Sequence, residues 1–283
     1  MKKYLSGVLA LGLALSMCAC GAPASDTAGE AATDSASTVE ATTDTADAAE
    51  SDLAYIQEKG KMTIGYTVYA PMNYTDENGD FVGFDTELAT AVCEKLGVEP
   101  DFVEINWDTK FVELDSKTID CVWNGMTLTD DILASQSCTQ AYARNAQVIV
   151  MKKDSGYTST ADLIGKTVAV EAGSAGQTAV EEEENLAQAD IITKPVQTDC
   201  LLEVKSGTAD AAVLDLTLAT AMTGEGTDYD DLAIVDELNA EQYGVAFRKG
   251  SDAAAAVDAA FDELKADGTM QTLADKYGLT LAE

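Results

Sequence analysis

Apolar positions recur along this chain in two alternating rhythms. "KMTIGY" (61–66) reads as a strand, and "FDTELATAVCEKLG" then sets Leu88, Val92 and Leu96 four apart, on one face of a helix. "VEPDFVEI" is extended again, "WDTKFVELDSK" is helical and "IDCVWNG" is a strand. After Val150 the alternation resumes. "TVAVEAGS" is a strand, "AGQTAVEEEENLA" a helix, "ADIITKPV" a strand, "CLLEVKSG" a helix, "ADAAVLD" a strand, "TLATAM" a helix and "LAIVDE" a strand. Strands alternating with helices predict α/β architecture, mostly parallel sheets covered by helices, and the pattern falls into two such units. Residues 251–279 are almost wholly helical and must pack on one of them.

The first fifty residues follow neither rhythm. "MKKYLSGVLALGLALSMCAC" has two lysines, a short apolar run and then small residues, so residues 1–20 read as a secretory signal, too short to span a membrane comfortably. Ala19, Cys20 and Gly21 resemble the cleavage box of bacterial lipoproteins, whose cysteine becomes the acylated first residue; Leu15 stands where the alternative, Cys18, would need it. Apart from Pro23 and Val39, residues 21–51 are Ala, Thr, Ser, Asp, Glu and Gly, and Val39 is the only large aliphatic side chain. Such a segment cannot bury enough apolar surface to offset its chain entropy, which makes it a disordered tether.

Charge and composition remove whole classes of function. With 17 Lys plus Arg against 50 Asp plus Glu, the net charge of -33 repels nucleic acid and anionic headgroups. There is no histidine, so Ser/His/Asp and Cys/His catalysis are excluded and transition metals lose their commonest ligand. Cys93, Cys121, Cys138 and Cys200 show no zinc spacing, and pairing among them is left open. "GSAGQ" at a helix start lacks the lysine of a phosphate loop and follows the acidic Glu171. "DENGDFVGFDTE" has Phe81 where a calcium loop needs Gly, so Asn78-Gly79 reads as a hairpin turn. No metal and no cofactor are expected.

Open α/β sheets bind ligands at the carboxyl ends of their strands. Here those ends are polar or small: "GYTVYAP", "WNGMTLT", "VEAGSAGQ" and "VLDLTL". Together they predict one pocket between two lobes, in which hydroxyls and N–H groups bind oxygens and Asp215 takes a cation.

"GKMTIGYTVYAPMNYTDENGDFVGFDTELATAVCEKLG", "IDCVWNGMTLT", "DLIGKTVAVEAGS", "LLEVKSGTADAAVLD" and "YGVAFRKGSD" resemble, in order and spacing, the polar amino-acid-binding proteins of ABC importers, over about residues 53–279. The resemblance implies a type II periplasmic-binding-protein fold: two α/β lobes, two crossover segments and closure on the ligand. Lobe 1 would be residues 53–147 and 243–283, and lobe 2 residues 148–242. By the same resemblance Tyr69 packs on the ligand side chain, and Gly125 and Thr127 contact its α-groups with a carbonyl and a hydroxyl. Ser174 donates to its carboxylate and Asp215 pairs its ammonium. Tyr66 stands where several members place an Asp that reads the side chain, which points away from a Lys- or Arg-specific pocket. Trp123 and Asn124 are expected to line the site.

The sequence departs from the family at one position. Where the family carries an arginine that grips the ligand carboxylate bidentately, "TDDI" places Ile132. Only Arg144 and Arg248 exist; Arg248 reads as an exposed strand end, which leaves Arg144, a lysine, or Thr127, Ser174 and helix N–H groups to hold the carboxylate. Asp130 and Asp131 read as solvated acids starting the next helix. The reading is a monomeric receptor outside the cytoplasm, lipid-anchored to the membrane, that is not an enzyme, binds a small polar solute such as an amino acid, and serves an ABC permease. Its alternatives are a sensory receptor on the same fold and a dehydratase-like enzyme with Glu171 as its acid or base.

Overall fold

The computed structural model describes residues 51–283, so the signal, Cys18, Cys20 and nearly all of the tether lie outside the described residues. The chain opens with α1 (Asp52–Lys59), β1 (Lys61–Tyr66), a hairpin of β2 (Tyr74–Thr75) and β3 (Phe81–Val82), and α2 (Phe84–Leu96). There follow β4 (Glu99–Glu104), α3 (Lys110–Asp115), β5 (Cys121–Thr127), α4 (Asp130–Ser135), β6 (Ser137–Cys138) and the long β7 (Ala143–Lys152). Then come β8 (Thr167–Glu171), α5 (Ala175–Glu182), β9 (Asp190–Lys194), α6 (Gln197–Ser206), β10 (Ala211–Asp215) and α7 (Leu216–Met222). The sixteen-residue β11 (Leu232–Phe247), α8 (Ala253–Ala266) and α9 (Thr269–Tyr277) complete the chain.

The strands pair in the order β4-β1-β5-β11-β7-β10-β8-β9. β1 runs parallel to β4 and β5 in one half, and β8 runs parallel to β9 and β10 in the other. Between them β11 and β7 are antiparallel to each other; β11 pairs with β5 beyond Tyr243, while β7 pairs with β10. These two strands are the crossovers of a two-lobed α/β fold. The central strands are buried on both faces, as the near-continuous apolar runs of β5, β7 and β10 require.

Leu88 and Val92 are fully buried on α2, which ends at Gly97 in a left-handed turn (φ 71°) whose N–H reaches the carbonyls of Cys93 and Glu94. α8 and α9 pack on α2, so the helical tail joins the half built on β1, β4 and β5. Asn78-Gly79 does turn a hairpin, with Asp76 accepting the N–H groups of Asn78 and Asp80 at 2.9 Å each. The four cysteines are free.

Two expectations are corrected. The helix expected over "AGQTAVEEEENLA" stops at Glu182, because four successive acids repel and Glu183 folds back to accept the N–H groups of Asn185 (2.9 Å) and Leu186 (2.6 Å). Arg248 is not an exposed strand end. It is buried, donates to Asp52 (3.0 Å) and to the carbonyls of Leu114 (3.1 Å) and Ile119 (2.8 Å), and ties α1 to the loop before β5.

Candidate functional site

A cavity of about 210 Å³ lies between the two halves of the sheet. From the first half it is lined by Trp107, Lys110 and Phe111 around the start of α3, and by Asn124, Gly125, Met126, Thr127, Thr129 and Ile132 from the end of β5 into α4. From the second half come Glu171, Gly173, Ser174, Ala175 and Thr178 around the start of α5, with Gln197 from α6 and Asp215 from the end of β10. Every contributing segment is a strand's carboxyl end or the helix that follows it, as the geometry of open α/β sheets requires.

Five of the residues singled out from the sequence meet here: Asn124, Gly125, Thr127, Ser174 and Asp215. Gly125 sits at φ 56°, and a Cβ there would come within 2.7 Å of the Tyr69 ring, so both its backbone angle and its neighbour demand glycine. Its N–H donates to the buried Asp85 at 2.6 Å. Ser174 caps α5 by accepting the Gln177 N–H at 3.1 Å, which leaves the first N–H groups of that helix without intrahelical acceptors at the cavity wall. Asp215 is 4% exposed; its carboxylate accepts from Asn145 and Gln147 at 2.6 Å each and from Gln197. The Thr127 hydroxyl donates to Glu241 of β11 at 2.8 Å, and the same Glu241 oxygen accepts from Asn145 (2.6 Å) and Gln147 (2.9 Å). Asp215 and Glu241 therefore share two amide donors of β7 at the crossover.

The other four lie elsewhere. Tyr66 packs against Phe81 and Phe102, with ring centroids 4.8 and 6.3 Å away. Tyr69 is buried, and its hydroxyl is bound by Thr217 and by Tyr243 (2.5 Å). Trp123 is fully buried, edge-on to Phe261 at 5.6 Å on the face of β5 that looks toward α8. Arg144 is half exposed and pairs with Glu283 at 2.8 Å, outside the cavity. Of the four polar strand ends, "GYTVYAP" adds no residue to the lining of this cavity; Thr67 reaches the site only by accepting from Asn124 at 2.7 Å. Its place is taken by Trp107, Lys110 and Phe111, which the sequence reading missed as a site. The helix opening just after β4 was the signal that could have found them.

Ile132 packs on the same apolar cluster as Phe111, Trp107 and Met126, and all four line the cavity, so its wall is apolar at the start of α4. Burial, and then the nearby Asp215, push Glu171 up to about 8; the same two causes hold Glu241 at about 8, and burial alone lifts Asp215. Asp85 is pushed up to about 7 by burial, against the N–H of Gly125 and the hydroxyl of Tyr142. Burial brings the Lys110 ammonium down to about 8.

The raised carboxyls fix the sign of a pH effect. Burial makes Asp85, Glu171 and Glu241 hold their protons to about pH 7 to 8 in the folded, unliganded protein, while the unfolded chain releases them near the ordinary 3.8 to 4.5. Their contribution to stability is complete below about pH 4 and is lost as pH rises to about 8. Lys110 enters only above pH 8, with the opposite slope. The unliganded protein is expected to melt higher at pH 5.5 than at pH 8 in calorimetry at constant ionic strength; a higher melting temperature at pH 8 would contradict the buried, protonated carboxyls.

Residues 62–280 match the model of the bacterial extracellular solute-binding proteins, family 3. The chain belongs to that family. It is 32% identical over 229 residues to the L-cystine-binding protein TcyJ of Escherichia coli, covering 78% of this chain and 84% of the relative. Among solved structures it resembles a mutant of ArgBP from T. maritima (TM-score 0.74, 34% identity, 80% of this chain and 98% of that one). It also resembles an ABC uptake transporter substrate binding protein from Streptococcus pneumoniae with bound histidine (TM-score 0.73, 30% identity, 81% and 96%). The fold of this family 3 protein is the one its neighbours carry, two α/β lobes joined by crossover strands.

Proposed function

We propose that this family 3 protein is a receptor held outside the cytoplasm by a lipid on Cys20 and a tether over residues 21–51, after cleavage of the signal just before Cys20. It captures an amino acid between a lobe of residues 53–147 and 243–283 and a lobe of residues 148–242, and hands it to an ABC permease. The observation that carries this reading is the cavity itself. Backbone and hydroxyl groups of β5 and α4 face the α5 N-terminus, Ser174 and Asp215 across a space the size of a small solute. Ligand bridging both walls favours the closed state over the open one, and a permease can read that difference. The relatives' names support the solute class: one binds L-cystine, and one structure holds histidine.

Asp215 would pair the ligand ammonium, Gly125 would offer its carbonyl, and Thr127, Ser174 and the first N–H groups of α5 would meet oxygens. Asn124 would complete the wall. Tyr69 and Tyr243 would act from behind it, holding Thr217 at the start of α7.

The test is a thermal-shift panel of the twenty standard L-amino acids against residues 52–283. An amino acid at a hundred times its Kd should add about 2.7 kcal/mol to stability, and it should be recovered chemically unchanged from the denatured complex. No stabilisation by any amino acid would end the amino-acid reading, and a recovered product would convert the receptor into an enzyme acting through Glu171.

A further inference from the structure

The cavity contains a single basic side chain. Lys110 opens α3, immediately after a single turn of 3-10 helix at Trp107–Thr109, and is 6% exposed. Its ammonium donates to the carbonyl of Trp107 at 3.0 Å and, across the cleft, to that of Gly173 at 2.9 Å. It also stands 4.6 Å from the Trp107 ring centre and 5.2 Å from that of Phe111. An ammonium has three donors, and no acceptor among the described residues takes the third. Lys110 is thus buried, lines the cavity and forms no ion pair among the described residues; Glu171 and Asp108 favour its charge only from a distance, an expensive state for a cation unless an anion arrives.

On the opposite wall Glu171 is 3% exposed, and its Oε1 has no hydrogen-bond partner. One uncommitted donor of a cation and one uncommitted acceptor of a carboxyl group therefore border the same small space. That is the complement of a zwitterion. Arg144, the alternative read from the sequence, is engaged with Glu283 outside the cavity, and Ile132 belongs to an apolar wall.

We propose that Lys110 is the anchor of the ligand's carboxylate, in a cavity that neither Arg144 nor Arg248 lines, and that Glu171 joins Asp215 in holding the ammonium. The assignment rests on the amino-acid reading above. Lys110 reaches the carboxylate from the start of α3 rather than from α4, beside the free N–H groups at the start of α5. It keeps its bond to Gly173, so the same side chain that takes the ligand also ties one lobe to the other. A lysine offers a point charge where a guanidinium offers a planar fork, so the site accepts the carboxylate through one strong hydrogen bond supplemented by helix N–H groups. Burial lowers the Lys110 ammonium toward neutral pH, and the arrival of a carboxylate reverses that shift.

The experiment pairs two variants with two forms of the ligand. The amino acid that most stabilises the wild type in the twenty-member panel is titrated calorimetrically beside its own α-amide, which keeps the ammonium and side chain but lacks the carboxylate. Lys110→Met, which loses the tie to Gly173 for either ligand, is expected to weaken the free amino acid by about thirtyfold or more and at least about tenfold more than it weakens the amide. Lys110→Arg is expected to recover most of the affinity for the acid, and Lys110→Gln, which fills the space without charge, to recover none. Should the amide bind too weakly to titrate, the Arg and Gln variants decide alone, with equal affinity in the two overturning the assignment. Equal losses for acid and amide in Lys110→Met, or none for the acid, would also overturn it while leaving the receptor reading intact. A wild type stabilised by no amino acid would instead overturn the receptor reading, and the assignment with it.

Discussion

Asp215→Asn should reduce affinity for the amino acid that stabilises the wild type by roughly a hundredfold or more, in the range set by removing one partner of a buried charged pair, about 2–5 kcal/mol. Asp215 ends β10, where the chain turns directly into α7, so its position is fixed by two regular elements rather than by a loop. Its carboxylate is held by amides of Asn145, Gln147 and Gln197, all donors, and its backbone N–H donates to the side-chain Oε1 of Gln197 at 3.0 Å. An asparagine keeps the volume but removes the charge and turns an NH2 group toward donors. The ligand's ammonium then enters a buried site with only Glu171 and the neighbouring Glu241 to meet it. Titration calorimetry of the variant, with the melting temperature of its unliganded form as a check on folding, reads the effect. Affinity within threefold of the wild type in a normally melting variant would remove Asp215 from the ammonium site.

Trp123→Ala is expected to be the largest single loss of stability, about 3–5 kcal/mol, because it empties a large, fully buried aromatic site. The ring lies edge-on to Phe261 of α8 and tilted to Tyr142 at 6.4 Å, and Tyr142 stacks on Phe84 of α2 at 6.0 Å. This aromatic cluster fastens the helical tail to β5, so its loss loosens two layers at once. For a folded body of this size the melting temperature should drop by roughly 6–20 °C. Trp123→Phe should cost far less, and its ligand affinity should match the wild type. A variant that melts normally but binds poorly would return Trp123 to the cavity wall.

The contrast between these two residues shows how much of the site was legible in advance. Trp123 and Gly125 are two apart on one strand, and the strand's period of two puts them on the same side. A side chain at 125 would run into the rings of Tyr69 and Tyr243, so Gly125 lines the cavity with its backbone alone, and neither neighbour can be read from "WNG". Asp215 and Ser174 could be picked out from sequence because one ends a strand with its own signal and the other caps the helix just after such a strand. Lys110 was not, since "WDTKFVELDSK" reads as an ordinary amphipathic helix and nothing local tells an anchoring lysine from a solvated one.

The sequence by itself determined the α/β alternation, the two-unit division, the hairpin at Asn78-Gly79, the helix stop at Gly97 and the polar strand ends. All of these follow from local backbone preferences and from the periodicity of burial, which act over a few residues. It also determined what the site lacks, because the absence of histidine and the Ile132 substitution are facts of composition and order. Only the tertiary structure decided that Lys110 meets Gly173 across the cleft, that Arg144 goes to Glu283 and that Arg248 is buried on Asp52. Those choices join residues far apart in the chain. They are settled by which donor finds an acceptor once the chain has folded, and burial makes the choices of Lys110 and Arg248 costly to reverse.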